Sequence, residues 1–158
     1  MSVKVKICGI TRPQDAAVAI EAGADLIGLI FYEQSPRHVA ADVALEIARQ
    51  IPPSVLKVGV FVDAPAEAVR RAIREYRLNL VQFHGTEPPE YCVQFEVMSL
   101  KAFRIRNADS LRDLPRYRTE AWLLDAAVPG HAVCTDITVS KPVPEQRLSD
   151  KVPLVIGR

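Results

Sequence analysis

Two side chains that could move protons lie at the ends of short apolar runs. Cys8 ends the first run and precedes Thr11, which we predict to cap a helix. The positive field at a helix N-terminus favours a reactive thiolate at Cys8; the alternative is a buried structural thiol. Asp125 ends the apolar run 122–124, where partial desolvation favours the protonated form that suits a general acid. The alternative for Asp125 is a helix N-cap.

Two further side chains could hold an anion or order the same site. Arg37 follows Ser35-Pro36 in a predicted loop, where its guanidinium could hold a carboxylate through two hydrogen bonds. The alternative for Arg37 is a solvated surface arginine. His84 ends another apolar run and could contact a substrate or bond a neighbouring loop, and the sequence leaves both open. The three histidines and three cysteines show no metal-ligand spacing, so we predict no metal site.

The composition excludes several classes of partner. The chain has 158 residues, with 20 Lys and Arg against 19 Asp and Glu, and a net charge of +1. Because nucleic acids and anionic membranes are bound through a basic excess, we expect neither as a partner. No apolar run approaches the roughly 20 residues of a membrane span. With no CxxC motif and no export signal, we read the cysteines as free thiols in a reducing cytoplasm.

Short apolar runs alternate with segments of helical periodicity along the chain. Most runs are too short for helices, so we predict strands at residues 3–8, 26–31, 56–62, 80–84, 100–105, 122–125 and 152–156. Helical patterns cover residues 11–23, 42–51, 66–77, 88–95 and 109–117, and Cys92 is expected to pack within the fourth. This alternation is typical of parallel strands joined by crossover helices.

Two architectures fit this alternation. A doubly wound open sheet suits the length of the chain, but neither GxGxxG nor GxxxxGK[ST] is present to place a nucleotide. A (β/α)8 barrel suits the even rhythm of strands and helices, although such barrels usually need about 200 residues or more. The pattern alone leaves this choice open.

Five motifs stand at the ends of predicted strands, in chain order. They are Lys-Ile-Cys-Gly-Ile-Thr at 6–11, Ser-Pro-Arg at 35–37, Val-Gly-Val-Phe at 58–61, Gln-Phe-His-Gly at 82–85 and Leu-Asp-Ala at 124–126. The series resembles the phosphoribosylanthranilate isomerase family over about residues 3–130. This resemblance implies a (β/α)8 TIM barrel of the ribulose-phosphate-binding type, in which functional groups lie where strands end.

The resemblance also implies a cofactor-independent isomerase of tryptophan biosynthesis in the cytoplasm. The family rearranges N-(5-phosphoribosyl)anthranilate, a phosphorylated small molecule, to 1-(2-carboxyphenylamino)-1-deoxyribulose 5-phosphate. By resemblance Cys8 is the general base and Asp125 the general acid. Arg37 would hold the anthranilate carboxylate, and His84 would join it in binding the substrate. Gln82 is expected to fill the barrel interior.

The chain departs from the family pattern after Gly130. Where the family continues with a glycine-rich segment, residues 131–139 are rich in β-branched side chains and should be stiffer. Residues 152–157 resemble the family's seventh strand, and the motifs that build the family's phosphate site do not follow. We therefore expect one barrel domain over residues 1–158 that is C-terminally incomplete relative to the family.

An incomplete barrel would have open sheet edges. Only closure by an eighth strand removes such edges, so if the chain is complete at 158 residues we expect association through them or weak isomerase activity. One alternative function is an inactive barrel remnant that only binds a partner or a small anion. Another is a related sugar-phosphate barrel enzyme, such as a histidine-pathway isomerase. Enzymes of that class carry a pair of aspartates at the corresponding strand ends, whereas the first predicted strand here ends in Cys8.

Overall fold

Parallel strands and helices alternate through residues 4–126 and 154–157, which are the part of the chain that the computed structural model describes. The strands are Lys4–Cys8 (β1), Leu26–Ile30 (β2), Leu56–Phe61 (β3), Leu80–Phe83 (β4), Met98–Ile105 (β5), Ala121–Ala126 (β6) and Leu154–Gly157 (β7). The α-helices are Pro13–Glu21 (α1), Ala41–Gln50 (α2), Ala66–Tyr76 (α3) and Pro89–Cys92 (α4). Two 3₁₀ helices, Ala108–Leu111 and Leu114–Arg116, lie between β5 and β6.

All these strands belong to one parallel sheet that curls into a half-barrel. Their order across the sheet is β6-β5-β4-β3-β2-β1-β7, so consecutive strands from β1 to β6 are neighbours. β7 pairs with the other side of β1, with Lys4 opposite Leu154 and Ile7 opposite Gly157. The predicted strand–helix alternation and parallel pairing are therefore confirmed for the described residues, and all the strands end at the same edge of the sheet.

The two faces of the sheet bury different sets of apolar side chains. On the outer face, Ile27 and Leu29 pack against the helices, where Ile47 of α2 and Val69 of α3 are fully buried. On the inner face, a smaller cluster is formed by Leu26, Val58, Leu80 and Leu100. Because successive residues of a strand face opposite sides, these two layers follow from the near-continuous apolar sequence of β2, β3 and β4.

The first helix begins later than its sequence predicts. The expectation that Thr11 caps it is wrong, because α1 begins at Pro13 with Arg12 at the N-cap in an extended conformation and no side-chain cap. The Arg12 side chain instead pairs with Asp15 at 2.7 Å. The field of a helix N-terminus falls off within the first turn, so the argument for a thiolate at Cys8 from this helix is weakened.

Two other predicted helices are shorter than their periodicity indicates. The pattern over 88–95 forms only α4, and the pattern over 109–117 forms two 3₁₀ helices. Pro115 explains the second difference, because a proline disfavours α-helical backbone at the residue before it. In the described residues, no helix is long and apolar enough to cross a membrane.

Candidate active site

The carboxyl edge of the sheet carries all four side chains singled out from the sequence. Cys8 is the last residue of β1, and Arg37 lies in the loop after β2. His84 directly follows β4, and Asp125 is next to last in β6. Each of the four is partly exposed. Strands that are far apart in sequence thus deliver a thiol, a guanidinium, an imidazole and a carboxyl to one rim, the usual place for function in parallel barrels.

Arg37 is held against the end of β1 rather than extended into solvent. Its Nη1 donates a hydrogen bond to the carbonyl oxygen of Cys8 at 3.0 Å. A Cβ at Gly9 would lie 2.8 Å from that nitrogen, and Gly9 itself has a φ of +83°. Only glycine satisfies both the left-handed backbone and the close approach of the guanidinium. The rest of the Arg37 fork is therefore placed beside Cys8 at the rim.

A polar chain leads from the sheet interior to Asp125. The side-chain amide of Gln82, which is 2% exposed, lies 3.0 Å from Nδ1 of His84. When this amide donates to Nδ1, the ring proton is on Nε2, which lies 3.4 Å from Oδ2 of Asp125. The expected interior position of Gln82 agrees with its burial. These two contacts favour one tautomer of His84, in which the Nε2–H group points at the carboxyl group of Asp125.

The imidazole of His84 is predominantly neutral at pH 7. Burial lowers the pKa of His84, and the Asp125 carboxylate opposes that shift to a smaller extent. The positive charge of Arg104 adds to the lowering. A neutral imidazole donates a hydrogen bond to Asp125 without placing a full positive charge beside it. His84 can therefore orient the carboxyl group at neutral pH.

A buried ion pair fixes the loop that carries His84. Nζ of Lys101 lies 3.1 Å from Oε2 of Glu87, and the two side chains are 3% and 2% exposed. The same nitrogen donates to the carbonyl oxygens of Gly85 at 2.7 Å and Phe83 at 3.4 Å. Glu87 in turn accepts hydrogen bonds from the backbone N–H groups of Asp63 and Gly85. The pair thus closes the turn on both sides of His84.

Sequence reasoning assigned no role to this ion pair. Lys101 lies in an apolar run and Glu87 follows the Gln-Phe-His-Gly motif. A charged residue inside a run predicted to be a buried strand was the available signal, because such a group needs a partner. Asp63 follows β3, and its Oδ1 accepts a hydrogen bond from the N–H of Thr86 at 2.7 Å. It thereby links the loop after β3 to the loop after β4.

The other described cysteine is buried. Cys92 is fully buried in α4, which confirms its expected packing role. Burial raises the pKa of its thiol to about 12, so Cys92 is unreactive at neutral pH. Among the described residues, no group of His, Cys, Asp and Glu side chains could hold a metal ion.

Comparison with known proteins gives consistent matches. A family model described as N-(5'phosphoribosyl)anthranilate (PRA) isomerase matches residues 5–154. The N-(5'-phosphoribosyl)anthranilate isomerase of Geobacter sp. strain M21 is 49% identical over 126 residues, which are 80% of this chain and 62% of the relative. The chain thus spans less than two thirds of the length of this curated relative.

Solved structures agree with this match. The crystal structure of phosphoribosyl anthranilate isomerase from Thermotoga maritima has a TM-score of 0.77 and 38% identity, covering 82% of this chain and 64% of that one. Another crystal structure holds the isomerase in complex with reduced 1-(o-carboxyphenylamino)-1-deoxyribulose 5-phosphate; it has a TM-score of 0.75 and 38% identity, covering 79% and 66%. These neighbours confirm the predicted TIM-barrel fold class.

Replacing Glu87 should be far more costly than replacing an exposed glutamate. Glu87→Gln leaves the Lys101 ammonium buried without its carboxylate, so we expect the free energy of unfolding to fall by about 3–5 kcal/mol. Glu67→Gln is the matched control, because Glu67 is 79% exposed and its ion pair with Arg74 should contribute at most about 1 kcal/mol. Urea unfolding measures both. Equal losses in the two variants would contradict the bracing role.

The stability contribution of His84 should depend on pH in one direction. Because its folded pKa lies below the ordinary value of 6.5, the contribution is present above that pH and is lost as the pH falls. We expect the difference in free energy of unfolding between the protein and His84→Gln to shrink from about pH 7.5 to about pH 5.5. Urea unfolding at matched ionic strength tests this. A difference that grows toward acid would show that the folded state favours the imidazolium.

Proposed function

The chain belongs to the phosphoribosylanthranilate isomerase family, and on that premise we propose that it carries the activity of that family. The reaction is the Amadori rearrangement of N-(5-phosphoribosyl)anthranilate to 1-(2-carboxyphenylamino)-1-deoxyribulose 5-phosphate, a step of tryptophan biosynthesis. The observation that carries the proposal is the gathering of Cys8, Arg37, His84 and Asp125 at one carboxyl edge of the parallel sheet. This arrangement supplies an acid, a base and a carboxylate-binding cation to one substrate.

In this proposal Asp125 and Cys8 transfer the protons. The carboxylic acid of Asp125 protonates the ring oxygen of the aminosugar, and the ring opens to an iminium ion. The Cys8 thiolate then removes the proton from C2, which leaves an enolamine that tautomerises to the ketone product. Each step moves protons and electron pairs within one molecule, so an acid and a base provide the required chemistry. The oxidation at C2 is balanced by the reduction at C1.

Arg37 and His84 have the binding roles in this proposal. The guanidinium of Arg37 pairs with the anthranilate carboxylate, and its bond to the carbonyl oxygen of Cys8 supports this placement near the base. His84 contacts the substrate and also donates to Asp125, supported by their 3.4 Å separation. The mechanism requires Asp125 to be protonated when substrate binds. A neutral His84 is compatible with that state, because it can still share its N–H with a carbonyl oxygen of the acid.

The substrate class and setting belong to the same proposal. We propose a phosphorylated small molecule as ligand, in line with the phosphorylated product analogue bound by the similar enzyme. The balanced charge of the chain supports the exclusion of nucleic acid and membrane as partners. We place the protein in the cytoplasm, where its thiols stay reduced, and treat residues 1–158 as a single barrel domain.

Removing the base or the acid should abolish most of the activity. We expect Cys8→Ala and Asp125→Asn each to lower kcat by about 10²-fold or more, because each loses one proton transfer. The decay of substrate fluorescence, followed on freshly prepared phosphoribosylanthranilate, measures the rate. Asp113→Asn is the matched control for the carboxyl group, since Asp113 is exposed and pairs with Arg116 of the adjacent 3₁₀ helix, and it should retain full activity.

Three results would contradict this assignment. Activity that survives in both variants would remove the assigned roles of Cys8 and Asp125. A folded chain with no detectable decay would instead favour the inactive remnant that only binds a partner or a small anion. Rearrangement of the histidine-pathway aminosugar phosphate, with no decay of phosphoribosylanthranilate, would favour the related sugar-phosphate isomerase.

We also propose that, if the chain is no longer than 158 residues, its copies associate through strand edges. Within the described residues, β6 and β7 are the outermost strands and their outer edges have no strand partner. Such edges present unpaired backbone N–H and C=O groups that another strand can bind. Sedimentation velocity should therefore show a mass that rises with protein concentration. A monomer with full isomerase activity across the concentration range would contradict both the association and the expected weak activity.

A further inference from the structure

Lys6 is a fully buried charged side chain without a hydrogen-bond partner. It lies at the centre of β1 with no exposed surface, and its Nζ has no hydrogen-bond partner among the described residues. Burying an ammonium group without a compensating partner is costly, so buried charges in folded proteins are usually paired. Lys101, the other buried lysine, shows the usual solution, with a carboxylate and several carbonyl oxygens around its nitrogen. Lys6 therefore calls for a different explanation.

The end of the Lys6 side chain and the thiol of Cys8 both lie above Gly28. The two residues are separated by one position in β1, so both side chains leave the same face of the strand. Gly28 is the neighbour of Cys8 on β2. A Cβ built on Gly28 would lie 2.7 Å from Sγ of Cys8 and 3.0 Å from Nζ of Lys6. The thiol and the amine therefore converge on the space that this glycine leaves open.

The charges around this space favour an anion between two cations. The pKa of Lys6 is lowered, chiefly by burial, and the charge of a Cys8 thiolate opposes that shift to a smaller extent. Arg37 acts on Lys6 as a second positive charge and is bonded to the Cys8 carbonyl oxygen. Among the described residues, Cys8 of the same strand and Arg37 of the loop after β2 are the charged groups that act on Lys6. The anion that suits both cations is the thiolate.

We propose that Lys6 is the positioning residue that holds Cys8 as a thiolate through an ammonium–thiolate pair. The pair carries one proton, which leaves Sγ and resides on Nζ. When the thiolate accepts a proton from substrate, Cys8 becomes a thiol and Lys6 stays an ammonium, so the count of protons is conserved. The catalytic use of this thiolate rests on the proposed isomerase function, but the thiolate itself does not. Such a pair replaces the helix field that α1 begins too late to supply.

The reactivity of Cys8 with iodoacetamide tests this proposal independently of any substrate. The alkylation rate is measured across pH on the full chain, with the modified cysteine identified by mass spectrometry. Lys6→Met keeps the length of the side chain and removes its charge. We expect its rate at neutral pH to fall about 10-fold or more, as for a thiol pKa raised by one unit or more. Lys4→Met is the matched control on the same strand, because Lys4 is exposed and pairs with Asp25.

Several outcomes would overturn the inference. One is a Lys6→Met profile that coincides with the Lys4→Met profile. Another needs no variant: alkylation of Cys8 in the unaltered protein with the pKa of an ordinary thiol, about 8.5, would exclude the pair even if Lys6→Met does not fold. Lys6→Arg should retain most of the thiolate, because it keeps the charge, and loss of reactivity there equal to that of Lys6→Met would also count against it.

The same measurements separate this inference from the proposed function. Rapid alkylation at neutral pH that depends on Lys6, in a chain without isomerase activity, would support the ammonium–thiolate pair and count against the function. Isomerase activity in a chain whose Cys8 titrates like an ordinary thiol would do the reverse. If the protein shows both Lys6-dependent alkylation and isomerase activity, kcat of Lys6→Met should recover at higher pH as the thiolate forms, whereas KM should change little.

Discussion

The parallel pairing of β1 to β6 is the constraint on which the site depends. Backbone hydrogen bonds set each strand in register with its sequence neighbour, for example Cys8 opposite Gly28 and Val60 opposite Gln82. Because every strand runs in the same direction, all their last residues arrive at the same edge. Cys8 and Asp125 are far apart in the chain and still belong to one rim. The crossover helices provide the apolar cover that such a sheet requires on its outer face.

The two buried lysines of the sheet, Lys6 and Lys101, show how the surroundings of a charged group indicate its role. Lys101 is surrounded by acceptors, and its pair with Glu87 encloses the turn that carries His84. Its charge is fully compensated, so it stabilises a loop and needs no ligand. Lys6 has no such acceptors among the described residues, and the thiol of Cys8 is an ionisable group that acts on it. In the proposed pair the Cys8 thiolate compensates the buried ammonium, which links the burial of Lys6 to the state of the site.

Much of the fold and the rim could be predicted from the sequence, because both depend on local patterns. Apolar runs marked the strands to within about two residues, and the residue that ends each run marked the rim. The cap at Thr11 was predicted wrongly, because a local rule cannot show that Arg12 and Pro13 begin the helix instead. Glu87 and Lys101 were missed since their contacts join separate loops. The position of Lys6 could have been predicted, because the alternation of side chains along β1 places it on the same face as Cys8.

Two hydrogen-bonded glycines make room for the charges at the rim. The N–H of Gly9 donates to the carbonyl oxygen of Gly28 at 2.9 Å, so the two backbones meet where β1 ends. A side chain at Gly9 would occupy the place of the Arg37 guanidinium, and one at Gly28 would collide with the Cys8 thiol. Glycine at both positions therefore lets Arg37 reach the Cys8 carbonyl oxygen and leaves room for the side chains of Lys6 and Cys8.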